Sequence, residues 1–311
     1  MKYDTLIVAP YYEDNAAQQF CSNLSANISD QDYVIFVDDG SVNLPFDIEL
    51  LTSNNVNGCV IKLRRNVGHQ GAIAIGMHYA VKKLRFNQLV TMDSDGQDQA
   101  SHIKELVNRL NHGQTDVVAA TRKTRDETKK FKIFYFLYQH FFRILVGRSM
   151  GFGNFMALNS AASQRISASH ETRLHVAASV LNSKLRISYA ALDRGKRYAG
   201  ESKMNLLSLI LHGLRSIMVF AESVLVRITV FCGISALIIL ISMTSMVVLK
   251  VSGLAIAGWF STVGGILLLL LFQVAIMAIL VLLLAGASPP KLWADTDNEL
   301  LIAGIAHAKL A

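Results

Sequence analysis

The segment Met92-Asp-Ser-Asp-Gly-Gln-Asp98 places three carboxylates within six residues, directly after the run Gln88-Leu-Val-Thr-Met92. Such a cluster at the end of a buried strand is costly unless a cation meets it. Asp93 and Asp95 are one residue apart, so in an extended turn they can converge on one hard cation. Oxygen ligands favour Mg²⁺ or Mn²⁺ over zinc. Mg²⁺ completes its shell with substrate phosphates, which suits a diphosphate leaving group whose developing charge needs neutralising. Taken alone, the pair also fits a solvated turn in which Asp98 caps the next helix. A second stretch carries the opposite charge. Arg194, Lys196, Arg197 and Lys203 set four cations in ten residues, with Gly195, Gly200 and the Ser202 hydroxyl among them. That composition suits a loop gripping a phosphate, or one touching anionic headgroups.

The elements that must position these groups are legible in the hydrophobic pattern. Strands are expected at Thr5–Ala9, Tyr33–Val37, Cys59–Leu63, Leu89–Met92 and Val117–Ala120. Helices are expected at Asn15–Leu24, with Asn15 as its cap, at Gly71–Leu84 and at His102–Leu110. Strand–helix alternation with apolar strands indicates a doubly wound, mostly parallel α/β sheet covered on both faces. Such sheets bind ligands at the carboxyl ends of their strands. The polar clusters stand there: Asp38-Asp39-Gly40-Ser41, Asp93-Ser94-Asp95 and Thr121-Arg122. No G-x-G-x-x-G follows the first strand and no G-x-x-x-x-G-K-[ST] occurs, which argues against a dehydrogenase or a P-loop ATPase.

The 311 residues are 52% hydrophobic with a formal net charge of +7, and the mean hydropathy is +0.35. The apolar residues are concentrated. Between Glu222 and Asp295 the only charges are Arg227, Lys250 and Lys291. Ile228–Leu249 and Ser261–Leu284 are each uncharged and long enough to cross a bilayer core of about 30 Å. Asn205–Val219 reads as an amphipathic interfacial helix leading into the first span. Lys132–Arg148 is aromatic and basic, suited to docking on the bilayer or to core packing. Arg215 and Arg227 favour a cytoplasmic flank. The expected organisation is a cytoplasmic catalytic domain at 1–204, an interfacial helix at 205–226, a transmembrane hairpin at 227–285 and a cytoplasmic tail at 286–311. The N-terminus leads into a strand and not a signal sequence. That makes a multi-pass protein of the cytoplasmic (inner) membrane. Cys21, Cys59 and Cys232 lack metal-ligand spacing and suggest a reducing compartment. No basic stripe with interleaved aromatics points to nucleic acid.

Five motifs in order then identify a relationship. Pro10-Tyr-Tyr-Glu-Asp14, Val37-Asp-Asp-Gly-Ser41, Arg65-Asn-Val-Gly68, the Asp93/Asp95 segment and Arg197-Tyr-Ala-Gly-Glu-Ser-Lys203 resemble those of family 2 glycosyltransferases of the GT-A fold. Within that family the chain resembles the membrane-anchored polyprenyl-phosphate glycosyltransferases, the group that includes dolichol-phosphate mannose synthase. It departs from their pattern at Glu13 (usually Asn), Gly96 (usually Leu) and Gln99 (usually Pro). The resemblance implies that Pro10, Tyr12, Asp14 and Asp39 line the nucleotide pocket and that Asp38 orients the loop. It puts Arg65, Asn66 and Gly68 where the donor is gripped, and Asp93, Asp95 and Gln97 at the metal. Arg122, Arg197, Ser202 and Lys203 fall to the acceptor phosphate, with Asp95, Arg122, Arg197 and Lys203 carrying the chemistry. The implied reaction is inverting transfer of a sugar from a nucleotide sugar, UDP-glucose for preference, to a polyprenyl phosphate at the cytoplasmic face of the bilayer. A processive polysaccharide synthase should show Q-x-x-R-W and more spans, and shows neither here. An inactive nucleotide-sugar-binding scaffold and a homo-oligomer both stay open.

Overall fold

The computed structural model describes residues 2–122, 129–199, 206–254, 258–286 and 299–308. In chain order the strands are β1 (Lys2–Tyr11), β2 (Tyr33–Asp38), β3 (Gly58–Leu63), β4 (Arg85–Thr91), β5 (Val117–Arg122), β6 (Met156–Asn159), β7 (Ile187–Leu192) and β8 (Ile302–His307). The helices are α1 (Ala17–Ser25), α2 (Glu49–Ser53), α3 (His69–Lys83), α4 (Ile103–His112), α5 (Lys129–Val146), α6 (Ser160–Ser167), α7 (Val176–Asn182), α8 (Leu206–Met218), α9 (Ala221–Val251) and α10 (Trp259–Gly286).

The strands form one sheet in the order β7-β5-β6-β4-β1-β2-β3-β8. β4, β1, β2 and β3 run parallel, as do β5 and β7. β6 is antiparallel to both its neighbours, and β8 is antiparallel to β3. All six residues of β2 are buried, as expected of a strand covered on both faces. Alternate residues feed two cores. Leu6, Val8, Ile35, Val37 and Ile61 pack with Ile73 and Met77 of α3. Ile7, Ala9, Val34, Phe36 and Val60 pack with Phe20 of α1 and Leu106 of α4. α3 lies close on the sheet at Gly76, where a Cβ would come within 2.5 Å of Val8 and 2.8 Å of Val37.

The expected helix at Asn15–Leu24 starts two residues later. Asp14 Oδ1 accepts the Ala16 N–H at 2.9 Å, so the turn closes through Asp14 and Asn15 caps nothing in it. α3 starts at His69, before the expected Gly71, because Gly68 adopts φ +86° and turns the chain into the helix.

The chain divides into two units. The first holds Met1–Gln139, Ser149–Val219 and Lys291–Ala311; the second holds His140–Arg148 and Phe220–Pro290. In the second, α9 and α10 are both long and apolar enough to cross a membrane. Most of their large apolar side chains, among them Phe231, Leu237, Phe272 and Leu282, are exposed. The two helices pack on each other where Gly264 faces Met246, which is the arrangement of a hairpin. In the first unit, residues read from sequence only as a tail return to the sheet as β8. Tyr33 Oη and His307 Nδ1 lie 3.0 Å apart, the Arg64 N–H donates to Leu301 O at 2.9 Å, and Arg64 Nε donates to Leu300 O at 3.0 Å. The segments before and after the apolar pair therefore belong to the same unit.

Candidate active site

The carboxyl ends of β1, β2 and β3 carry three interlocked loops. Asp38 is buried, and its two oxygens accept the N–H groups of Ser41 (3.0 Å) and Phe46 (2.9 Å). It holds the loop after β2. Asp39 is also buried; its oxygens accept Val67 N–H at 2.7 Å and Gly68 N–H at 2.9 Å. Burial raises its pKa, and the two backbone donors oppose that rise. Its visible partners thus belong to the Arg65–Gly68 loop. Gly40 (φ +71°) lets that loop approach, since a Cβ there would meet the Arg65 backbone at 2.6 Å. Glu13 has φ +42°, and its Oε1 accepts Val42 N–H, Asn43 N–H and Asn43 Nδ2 at 3.0–3.1 Å. The residue that departs from the usual Asn therefore organises the facing loop. Tyr12, Arg65 and Asn66 are exposed at the rim, and Pro10 is buried at the end of β1.

The loop after β4 is folded on itself. The Ser94 hydroxyl donates to Pro10 O at 2.6 Å, and the Asp93 N–H donates to Asp98 Oδ2 at 2.9 Å. Asp98 closes this loop; it does not cap the next helix. His69, the first residue of α3, brings Nε2 to 3.0 Å from Asp93 Oδ1. The contact is an ion-pair distance without hydrogen-bond alignment, and Asp93 Oδ1 is a buried acceptor with no hydrogen-bond donor. Burial alone would lower the His69 pKa, but Asp93, Asp98 and Asp95 outweigh it and hold the imidazole above its ordinary value. Burial would raise Asp93; His69, Arg194 and Arg197 instead hold it below the usual carboxylate range. Asp95 and Asp98 are both pushed up, by burial first and by the charge of Asp93 second.

The basic loop docks directly on this acidic one. Arg197 Nη2 lies 3.0 Å from Asp95 Oδ2 and donates to Gln97 Oε1 at 3.3 Å. The Gly195 N–H donates to Gln97 O and the Tyr198 N–H to Asp95 O, each at 3.0 Å. Arg197 thus stands against two residues expected at the metal. Gly96 has φ +86°, and a Cβ there would lie 2.6–2.7 Å from three atoms of the Tyr198 ring. The usual Leu is excluded because Tyr198 fills its space, anchored by Asn23 Nδ2 at 2.9 Å. Gly96, Gly195 and Tyr198 also line a cavity of about 430 Å³ with Asn23, Asn27 and Lys196. Arg122 is exposed at the end of β5, beside Leu192 of β7. Ser202 and Lys203, expected at the acceptor phosphate, lie outside the described residues.

A divalent cation fits this donor set. Three carboxylates crowd one loop, one buried oxygen of Asp93 lacks a hydrogen-bond donor, and Asp95 and Asp98 are driven toward their neutral forms. A cation at Asp93 and Asp95 relieves that repulsion. His69 and Tyr198 escape sequence reading because each meets the loop only through tertiary packing. The one sequence signal for Tyr198 is the glycine at 96 that accommodates it.

The Glycosyl transferase family 2 model matches residues 5–171. The chain belongs to that family, the nucleotide-sugar glycosyltransferases of the GT-A fold. The chain is 23% identical to "Uncharacterized glycosyltransferase YkoT" of Bacillus subtilis (strain 168), covering 83% of this chain and 80% of that protein. It is 26% identical to "Uncharacterized glycosyltransferase YkcC" of the same organism, covering 73% and 71%. Among solved structures it is similar to glucosyl-3-phosphoglycerate synthase from Mycobacterium tuberculosis in complex with Mn²⁺, UDP and phosphoglyceric acid. The TM-score there is 0.53 at 14% identity, over 71% of this chain and 78% of that one.

Proposed function

We propose that this chain transfers a sugar, with inversion, from a nucleotide-sugar donor to a polyprenyl phosphate at the cytoplasmic face of a membrane. One observation carries the reading. The unit that holds the acidic and basic loops also holds both chain segments flanking two bilayer-length helices. An enzyme tethered in this way meets acceptors that stay in the membrane, and both its flanks lie on one side of it. UDP-glucose is the preferred donor in this reading, in keeping with the UDP complex of the Mycobacterium tuberculosis enzyme.

A phosphomonoester has a second pKa near 6, so its oxygen is already anionic at pH 7. It needs no strong base. A lone pair on that oxygen forms the new bond to the anomeric carbon. The bond from that carbon to the donor diphosphate breaks, and its electron pair leaves with the nucleoside diphosphate. Bound at Asp93 and Asp95 with Gln97 beside them, Mg²⁺ or Mn²⁺ supplies charge neutralisation for the diphosphate. In this reading Arg197, Arg122 and Lys203 screen the repulsion between donor and acceptor anions, and the Ser202 hydroxyl donates to the acceptor phosphate. Pro10, Tyr12, Asp14, Asp39, Arg65, Asn66 and Gly68 form the donor side.

The test is a screen of radiolabelled nucleotide sugars with the full chain in vesicles containing undecaprenyl phosphate. Metal-dependent appearance of a lipid-linked sugar from one donor is the expected result. Transfer only to a soluble acceptor overturns the reading.

A further inference from the structure

Gln70, next to His69 on α3, and His175, just before α7, each bury a hydrogen-bond donor that has no partner among the described residues. Gln70 is 4% exposed. Its Oε1 accepts the Val176 N–H at 2.7 Å, which fixes the amide orientation and leaves Nε2 as the donor end. That Nε2 is buried without a partner. His175 is 3% exposed. Its Nδ1 accepts the Ala178 N–H at 3.2 Å, so in the neutral ring the proton sits on Nε2. Burial, and His212 after it, lower its pKa to about 3 and keep the ring neutral. His175 Nε2 is also buried without a partner. Leaving such donors unmade is costly in a folded protein, so each calls for an acceptor.

Cationic and aromatic groups of α8 gather at the same place. The His212 ring lies 4.4 Å from the His175 ring, tilted by 39°. Arg215 Nη1 is 3.9 Å from where a Cβ on Gly68 would stand, beside the first turn of α3. α8 is itself fixed by Tyr138 Oη, 2.7 Å from Ser216 Oγ. Two buried N–H donors, a guanidinium and a second imidazole thus come from neighbouring positions of α3, α8 and the turn before α7, a composition suited to an oxyanion. His69, the neighbour of Gln70 on α3, contacts Asp93 of the acidic loop at 3.0 Å.

We propose that Gln70, His175, His212 and Arg215 seat the phosphomonoester of the acceptor beside the metal loop. The assignment rests on the acceptor reading above and adds a set of ligands to it. α8 continues in sequence into the first apolar span, which links this set along the chain to the segment proposed to enter the membrane. The same chemistry would also take a phosphomonoester from solution.

The test uses the full chain in phosphatidylcholine nanodiscs carrying undecaprenyl phosphate, with inorganic phosphate as a competing probe. His175→Asn keeps an oxygen to accept the Ala178 N–H and removes the Nε2 donor. Gln70→Glu keeps the acceptor for Val176 and places a negative charge in the seat. His175→Asn should melt near the wild type, whereas the buried carboxylate of Gln70→Glu should lower the melting temperature, less so when phosphate is absent and Arg215 pairs with it. Each should raise the acceptor KM or the inhibition constant of phosphate by about ten- to a hundredfold, with the donor KM within twofold. A change in acceptor KM alone assigns the seat to the lipid headgroup; a change in phosphate inhibition alone assigns it to a soluble phosphoester. Folded variants with both constants unchanged overturn the proposal and leave the donors to ordered water. A wild type that transfers nothing to undecaprenyl phosphate overturns the acceptor reading instead. Phosphate binding followed by ³¹P NMR then decides the seat: binding lost in His175→Asn supports it, and equal or absent binding in the wild type overturns it.

Discussion

Gly96→Ala isolates the interlock between the acidic and basic loops. The substitution has two costs. An L side chain at φ +86° costs roughly 1–2 kcal/mol. The added Cβ would stand 2.6–2.7 Å from three ring atoms of Tyr198, an overpacking worth about 1–3 kcal/mol. The sum is about 2–5 kcal/mol, enough to lift Tyr198 off Asn23 and to strain the 3.0 Å bonds from Gly195 and Tyr198. Arg197 would then lose its place against Asp95. Tyr198→Ala in the same chain removes the steric part and leaves the backbone part. A double-mutant cycle on chemical unfolding and on kcat/KM should therefore show favourable coupling of about 1–3 kcal/mol. Gly96→Ala alone should lower kcat/KM by at least tenfold. If the two substitutions add without coupling, or if Gly96→Ala behaves as wild type, the steric account of this glycine is wrong.

Asp95→Asn should leave the protein folded and reduce transfer by about a hundredfold or more, because it removes a carboxylate from the cation; full activity in that variant or in EDTA would remove the metal from the account. In intact cells an impermeant thiol reagent should label Ser252→Cys, in the connection after α9, and should reach Glu299→Cys only after permeabilisation; the reverse pattern would contradict a hairpin with cytoplasmic flanks. Asp116 is held at about 2 by hydrogen bonds from Arg186, with burial opposing. A folded-state value below the unfolded one stabilises at pH above about 4, and the gain is lost as pH falls through about 2. Asp116→Asn should thus cost about 1 kcal/mol at pH 7, reduced by the exposure of its partner, and progressively less as pH falls to about 2 and below. Equal losses at both pH values would show that the pair's charge does not matter.

The parallel core was legible because strands buried on both faces are unbroken apolar runs. Tyr33–Val37 and Val117–Ala120 read as strands without any partner in view. β6 and β8 did not: Met156–Asn159 has four residues, and Ile302–His307 is a short Ala- and Gly-containing edge strand whose partner, β3, lies far back in the chain. The acidic and basic site residues stood out by charge density and motif order. His69, Gln70, His175 and Tyr198 did not, because each acts through a contact across the fold and none carries a local pattern. The departures from the family pattern at Glu13, Gly96 and Gln99 kept an inactive scaffold open on sequence alone. The hydrogen bonds of Glu13 and the ring of Tyr198 compensate for the first two.

The most direct measurement compares nucleoside diphosphate release by the full chain in vesicles that contain undecaprenyl phosphate, undecaprenol or neither. A lipid-phosphate acceptor predicts metal-dependent release stoichiometric with a lipid-linked sugar in the first vesicles only, and none with Asp95→Asn. Equal release in all three, or release that requires a soluble acceptor, would contradict it.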